Sequence, residues 1–164
     1  MKKITLILAI FAVLLLTVSA GTEREYNAAE GMKAPYFEVV GNDGETISLS
    51  DMDGRFVIVN FWASDDAGSR IAANCYSSYV ESVGEERIGL VSVNFDWNER
   101  LFREIVRRDR LNEDSQFNVE SPIASDIIRK FDMADGLKSF LIDPQGRIVA
   151  VNPTTETIEM LTAV

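Results

Sequence analysis

Apolar and polar positions along this chain change their spacing from segment to segment, and each spacing predicts an element. Phe37 to Val40 and Thr46 to Leu49 lie on either side of Asn42-Asp43-Gly44, the signal of a β-hairpin. Phe56 to Phe61 (FVIVNF) is a short continuous apolar run rich in β-branched residues, as in a strand buried on both faces. Ser69 to Val83 carries Ile71, Ala72, Cys75, Tyr76, Tyr79, Val80 and Val83 at helical spacing, with Gly84 as the stop. Ile88 to Phe95 (IGLVSVNF) reads as a second buried strand. Asn98 to Leu111 predicts a helix with Leu101, Phe102, Ile105 and Val106 inward. A short helix is expected from Pro122 to Phe131, with Ser121 as its cap and Pro122 at its first position. Ser139 to Ile142 and Arg147 to Val151 form a second hairpin across Asp143-Pro144-Gln145-Gly146, and Thr155 to Thr162 a closing helix.

The order is hairpin, strand–helix–strand–helix, hairpin, helix. It predicts an α/β domain with a mixed central sheet flanked by helices and an N-terminal β-hairpin: a parallel central pair with antiparallel strands added at the edge. Ahead of it, Lys2 and Lys3 precede an apolar run from Ile4 to Leu16, and Val18-Ser19-Ala20 supplies small residues at the end. That is the layout of a secretory signal, and the run is short of the ~20 residues a spanning helix needs. The expected organisation is a signal peptide over 1–20 cut after Ala20, a polar disordered lead-in over 21–32, and one domain over 33–164. The destination is periplasmic or secreted. A membrane is a partner only if the N-terminal segment stays uncleaved.

Composition narrows the chemistry. The formal net charge is −10, and loss of Lys2 and Lys3 takes it to −12, two positive charges fewer. Such a field repels phosphate, so nucleic acid is not an expected partner. There is one cysteine, Cys75, and no histidine. The chain cannot form an internal disulfide or run a dithiol couple within itself. Without histidine the usual general base and the commonest metal ligand are missing, so no metal and no cofactor is expected.

Two segments carry a resemblance. Residues 44–64 (GETISLSDMDGRFVIVNFWAS) and 140–150 (FLIDPQGRIVA), at the expected distance, resemble the exported thioredoxin-like proteins related to cytochrome-c-maturation reductases. Those sit in the redoxin group with the alkyl-hydroperoxide-reductase/thiol-specific-antioxidant proteins. The resemblance covers roughly residues 33–164 and implies a thioredoxin-like fold and thiol-disulfide oxidoreductase ancestry. In such proteins the strand ending in VNFWA leads into a tryptophan and a Cys-X-X-Cys at the next helix's N-terminus. Here the motif positions read Asp66-Ala67-Gly68-Ser69, a degenerate active site, and Asp65 stands in place of the tryptophan. Leu137 stands where the family places a cis-proline, and the Gly136–Leu137 bond is expected to be trans because a non-proline cis bond costs about 2.5–4 kcal/mol. A thiolate attacks a disulfide; an aspartate cannot exchange with sulfur, and a serine without a base is no nucleophile at neutral pH. No residue is therefore assigned a catalytic role. Cys75 lies roughly 13 Å farther along the helix, at 1.5 Å per residue, out of reach of a substrate docked at the motif.

The remaining candidates are read against simpler roles. Asp65 and Asp66 offer a cation site or a carboxylate dyad, but Asp66 as a helix cap, worth roughly 1 kcal/mol, is favoured. Ser69 is a first-turn residue and Arg70 a surface charge beside it. Cys75 shares a face with Ile71 and Tyr79, which favours a partly buried apolar role over a redox sensor or a dimer linked through it. Arg100, Arg103, Arg107 and Arg110 recur at helical spacing, with Arg108 alongside. Two readings of them stand level: a grip on an acidic partner face or anionic ligand, and a solvated face partly neutralised by Glu99, Glu104 and Asp109. Trp62 and Trp97 read as core or core-edge aromatics.

The leading functional expectation is a redox-inactive member that binds a protein or peptide in the exported compartment. The alternative is a thiol-dependent oxidoreductase or peroxidase using Cys75 with an external thiol. A purely structural domain is the third.

Overall fold

The hairpin forms as expected: β1 (Glu38–Val40) pairs antiparallel with β2 (Thr46–Ser48), Val39 opposite Ile47. The chain then alternates as β3 (Phe56–Trp62), α1 (Ala67–Val83), β4 (Ile88–Asn94), α2 (Glu99–Asp109), β5 (Gln116–Asn118), α3 (Ser121–Lys130), β6 (Ser139–Ile142), β7 (Ile148–Val151) and α4 (Thr155–Thr162). The computed structural model describes residues 28–41, 44–52 and 54–162. The expected signal peptide, the first part of the lead-in and the Asn42-Asp43 pair of the hairpin turn lie outside the described residues.

The sheet order is β5-β4-β3-β6-β7, with β3, β4 and β5 parallel and β6 and β7 antiparallel additions. Successive side chains of β3 go to opposite faces, as strand geometry requires. Val57, Val59 and Phe61 pack with Val39 of the hairpin and Ala124 and Ile127 of α3. Ile58 packs with Tyr76 and Val80 of α1 and Ile158 of α4. Trp62, farther along the same face, packs with Ala73 of α1 and Phe102, Ile105 and Val106 of α2. The central run is apolar at every position but Asn60 because both faces are covered. The C-terminal ends of the three parallel strands lead to the starts of α1, α2 and α3, the end of an α/β sheet where ligands bind.

Several expectations are corrected. β5 falls in a stretch read as connection; its three residues become strand through pairing with β4, not through their own pattern. The helix expected over 98–111 spans Glu99–Asp109; Asn98 caps it, accepting from the Arg100 and Leu101 N–H groups, and Arg110 turns left-handed at φ 56°. Leu101, expected inward, is 37% exposed. Ser121 is not a cap: Glu120 holds that position without a side-chain bond, and Ser121 and Pro122 lie in the first turn of α3. Ile71 is 65% exposed, while Ala73 and Ser77, not singled out, are buried. Residues of the expected lead-in just ahead of Lys33 are also paired with the sheet. The Gly31 N–H donates to Ile148 O and the Ile148 N–H to Met32 O, both at 2.8 Å, so residues 31–33 run along the edge of β7.

Candidate functional site

The motif positions lie where β3 hands over to α1. After Trp62 the chain turns, and Asp66 takes an extended conformation (φ −98°, ψ 101°) as the cap of α1. Its Oδ1 accepts from the Ser69 N–H at 2.7 Å, which places the carboxylate at the positive end of the helix. Ser69 Oγ donates to Asp66 O at 3.2 Å and accepts from the Ala63 N–H at 3.3 Å. Both side chains are therefore engaged in forming the helix start, with Ala67 and Gly68 exposed between them. Asp65 is exposed, and among the described residues no group of three His, Cys, Asp or Glu residues is placed to hold a metal. The loop bearing half-buried Leu137 runs beside the end of β3, since the Phe61 N–H donates to Lys138 O at 3.2 Å. Every peptide bond among the described residues is trans, Gly136–Leu137 included.

A buried polar network that sequence reasoning missed holds this end of the sheet. Asp96, just past β4, accepts from Ser64 N–H and Ser64 Oγ–H at 3.0 Å each and from Asn94 Nδ2 at 2.9 Å. Asn118 Nδ2, at the end of β5, donates to Asn94 Oδ1 at 2.8 Å and to Asp96 O at 2.9 Å. The turn leading to α1 is thus tied to the end of β4 and, through Asn118, to that of β5. Deeper in the sheet, Asn60 Nδ2 donates to Ser92 Oγ at 3.1 Å and Ser139 Oγ donates to Asn60 Oδ1 at 2.8 Å. The available signal was the polar residues Asn60, Ser92 and Asn94 inside otherwise apolar runs: a buried polar group demands a partner.

Arg70 is not a free surface charge. Its Nε and a terminal nitrogen donate to the two oxygens of Asp109 at 2.6 and 2.7 Å, a bidentate pair joining the first turn of α1 to the end of α2. Asn74 Nδ2 adds a bond to Asp109 O at 3.0 Å. The Arg70 guanidinium holds the Asp109 carboxyl below the usual carboxylate range, against the upward push of burial. A carboxyl depressed in the folded state contributes stability above its unfolded value, near about pH 4, and loses it as pH falls through the folded value. Arg70→Gln is therefore expected to lower the unfolding free energy by about 1 kcal/mol at neutral pH. The difference from the unsubstituted chain should shrink on acidification below about pH 4, as read from denaturant midpoints of both proteins.

Cys75 is exposed, contrary to the partly buried role expected for it. With Ile71, Arg70, Asn74, Ala67 and Asp109 it lines a shallow groove of about 400 Å³. The apolar stripe on α1 is wider than the face that the sheet and α2 cover, so its outer edge is left in solvent. The arginines of α2 also separate. Arg103 pairs with Glu99 at 2.6 Å, Arg108 approaches Asp109 at 3.6 Å, Arg100 and Arg107 are exposed, and Arg110 lies beyond the helix end. Trp62 is fully buried as expected, but Trp97 is 87% exposed. It overhangs a cavity of about 760 Å³ at the strand ends, shared with Asp96, Arg103, Asn118 and Pro122.

The AhpC/TSA family profile matches residues 31–151, most of the chain. The chain belongs to the AhpC/TSA family. The chain is also similar to the thiol-disulfide oxidoreductase ResA of Bacillus subtilis (strain 168), 25% identical over 148 residues that cover 88% of this chain and 76% of that protein. Among solved structures it resembles a thioredoxin-like protein from Parabacteroides distasonis ATCC 8503, with a TM-score of 0.70, 29% identity, and coverage of 84% of this chain and 97% of that one. A thiol:disulfide interchange protein from Bacteroides sp. superposes with a TM-score of 0.74 at 21% identity, covering 83% and 91%, a likeness of fold. The AhpC/TSA match spans both segments whose resemblance was read from sequence, and the thioredoxin-like fold is the one expected.

Proposed function

We propose that this protein is a redox-inactive, thioredoxin-like member of its family that acts as a protein- or peptide-binding module in the exported compartment. One observation carries the reading: the only cysteine sits well along α1, while Asp66 and Ser69 occupy the helix start and are hydrogen-bonded into it. Disulfide reduction needs a thiolate at that start and a second thiol to resolve the mixed disulfide. Neither exists within one chain. The scaffold around the position is intact, with the strand ends tied by Asp96 and both sheet faces packed. A kept frame without its chemistry favours recognition over turnover. The Lys2–Ala20 pattern supports export.

The candidate contact surfaces are the remodelled start of α1 with Leu137 and the arginine-bearing face of α2. Affinity capture on the mature chain, compared with Arg103→Glu/Arg107→Glu, tests the second surface. A partner that co-purifies with the first and is lost from the second supports it. No co-purifying partner, and no change on charge reversal, removes the binding reading.

A second reading keeps one observation of its own. Cys75 is exposed, so a thiol chemistry with an external thiol has access to it. Arg70, the cation beside it in the groove, is already engaged by Asp109. This reading requires a turnover abolished by Cys75→Ser.

A further inference from the structure

Strand β7 closes one side of the five-stranded sheet. Its sequence, Ile-Val-Ala-Val, is uncharged, rich in β-branched residues and free of proline. An edge strand of that composition is a template for pairing with another chain, and natural sheets cover such an edge or break it with a charge. Here the cover comes from the segment just ahead of β1. Ala28 sits in the core at one end of it, and half-buried Ala34 packs against the same core at the other. Between them Gly31, Met32 and Lys33 are exposed, so their side chains do little to hold them. Main-chain bonds hold them instead. The Gly31 N–H donates to Ile148 O and the Ile148 N–H to Met32 O, both at 2.8 Å, and the Ala34 N–H donates to Gly146 O at 2.9 Å. Both main-chain groups of Ile148 are thus taken within the chain.

Two features make this hold releasable. Lys33 stands opposite Arg147 in the antiparallel pairing, and like charges in that position oppose it. The Arg147 guanidinium offsets this in part by donating to Gly31 O at 3.2 Å. Gly31 also adopts φ 83°, so the path of the segment depends on glycine.

We infer that residues 28–34 are a strap that shields the β7 edge from strand addition, and that a second copy of this chain takes the edge when the strap is loosened. Two β7 strands running antiparallel about a two-fold axis present the same surface to each other, the self-complementary geometry of a symmetric dimer. Ile-Val-Ala-Val meeting itself brings no charge into the pair.

Sedimentation velocity and amide exchange at Ile148 test this on the mature chain, with a reductant present to exclude linkage through Cys75. The unsubstituted chain should be monomeric across the micromolar range, its Ile148 N–H protected at every concentration. Gly31→Pro removes the donor and cannot hold φ 83°, since proline is fixed at about −65°. It should speed exchange at Ile148 by about tenfold in dilute solution. As its concentration rises it should form dimers and regain the protection. Gly31→Val keeps the N–H but strains the same φ, and should give the same changes at smaller size; it serves if Gly31→Pro does not fold. Lys33→Glu sets opposite charges across the pair and should slow exchange by about threefold in a chain that stays monomeric. Met32→Ala leaves the main-chain bonds in place and should match the unsubstituted chain. Glycine variants that stay monomeric, or whose dimers leave the Ile148 N–H exchanging freely, overturn the strap as a shield. So do unchanged exchange at Ile148 in both glycine variants and an unsubstituted chain that is itself dimeric.

Discussion

A chain carrying Asp66→Cys and Ser69→Cys is expected to reduce insulin disulfides well above the rate of a dithiol reductant alone, where the unsubstituted chain adds nothing. The substitutions place two thiols at the cap and third position of α1, joined in the present structure by the Asp66–Ser69 bonds. A free cysteine has a pKa near about 8.5, and a helix N-terminus brings it to about 7 or lower. At neutral pH that raises the thiolate fraction from a few per cent to about half, roughly tenfold in the attacking species. The second thiol then resolves the mixed disulfide, a step closed to the present chain. Loss of the Asp66 cap should cost about 1 kcal/mol. Leu137 is left in place, so the gain measures the motif alone. No gain in a folded double variant would mean that the start of α1 is not the family's reactive position.

Phe61→Ala should be the most destabilising single truncation on the sheet, at about 3–5 kcal/mol. Phe61 is fully buried in β3, its ring centroid 4.8 Å from that of Phe131, 5.6 Å from Phe95, 5.9 Å from Phe37 and 6.2 Å from Phe140. One side chain thus joins the region before β1, the loop after β4, the end of α3 and strand β6. Its removal leaves a cavity those four cannot close without moving several elements. Against a typical domain stability of about 5–15 kcal/mol the loss is large. Trp97→Ala, by contrast, removes a larger but exposed ring and should stay within about 0.5 kcal/mol of the unsubstituted chain. Urea midpoints of the two variants give the comparison directly; equal losses would place Trp97 in the core after all.

The elements set by their own period were legible in sequence. FVIVNF and IGLVSVNF are buried on both faces and sit as the parallel pair β3 and β4. The late hairpin across Asp143 to Gly146 was legible from its turn chemistry. Elements set by a partner were not. Gln116-Phe117-Asn118 has too few residues to show a period and becomes strand by pairing with β4. Hydrophobicity also misplaced Trp97 and Leu101, because side chains just before a helix and in its first turn can project past the sheet that covers the rest of the stripe. At the site, the Asp66 cap was readable from its position before a helical run. Asp96 was not, since its partners Ser64 and Asn94 come from the ends of two strands whose pairing register only the fold sets. The Arg70–Asp109 pair escaped for the same reason, its members lying on two helices.

The most direct measurement is insulin or glutathione mixed-disulfide reduction by the mature chain with excess dithiol, beside its Cys75→Ser variant and an active thioredoxin. The proposed function predicts a rate no greater than dithiol alone for both forms of this chain. A rate above background that vanishes in Cys75→Ser would contradict it and make this protein a one-cysteine enzyme.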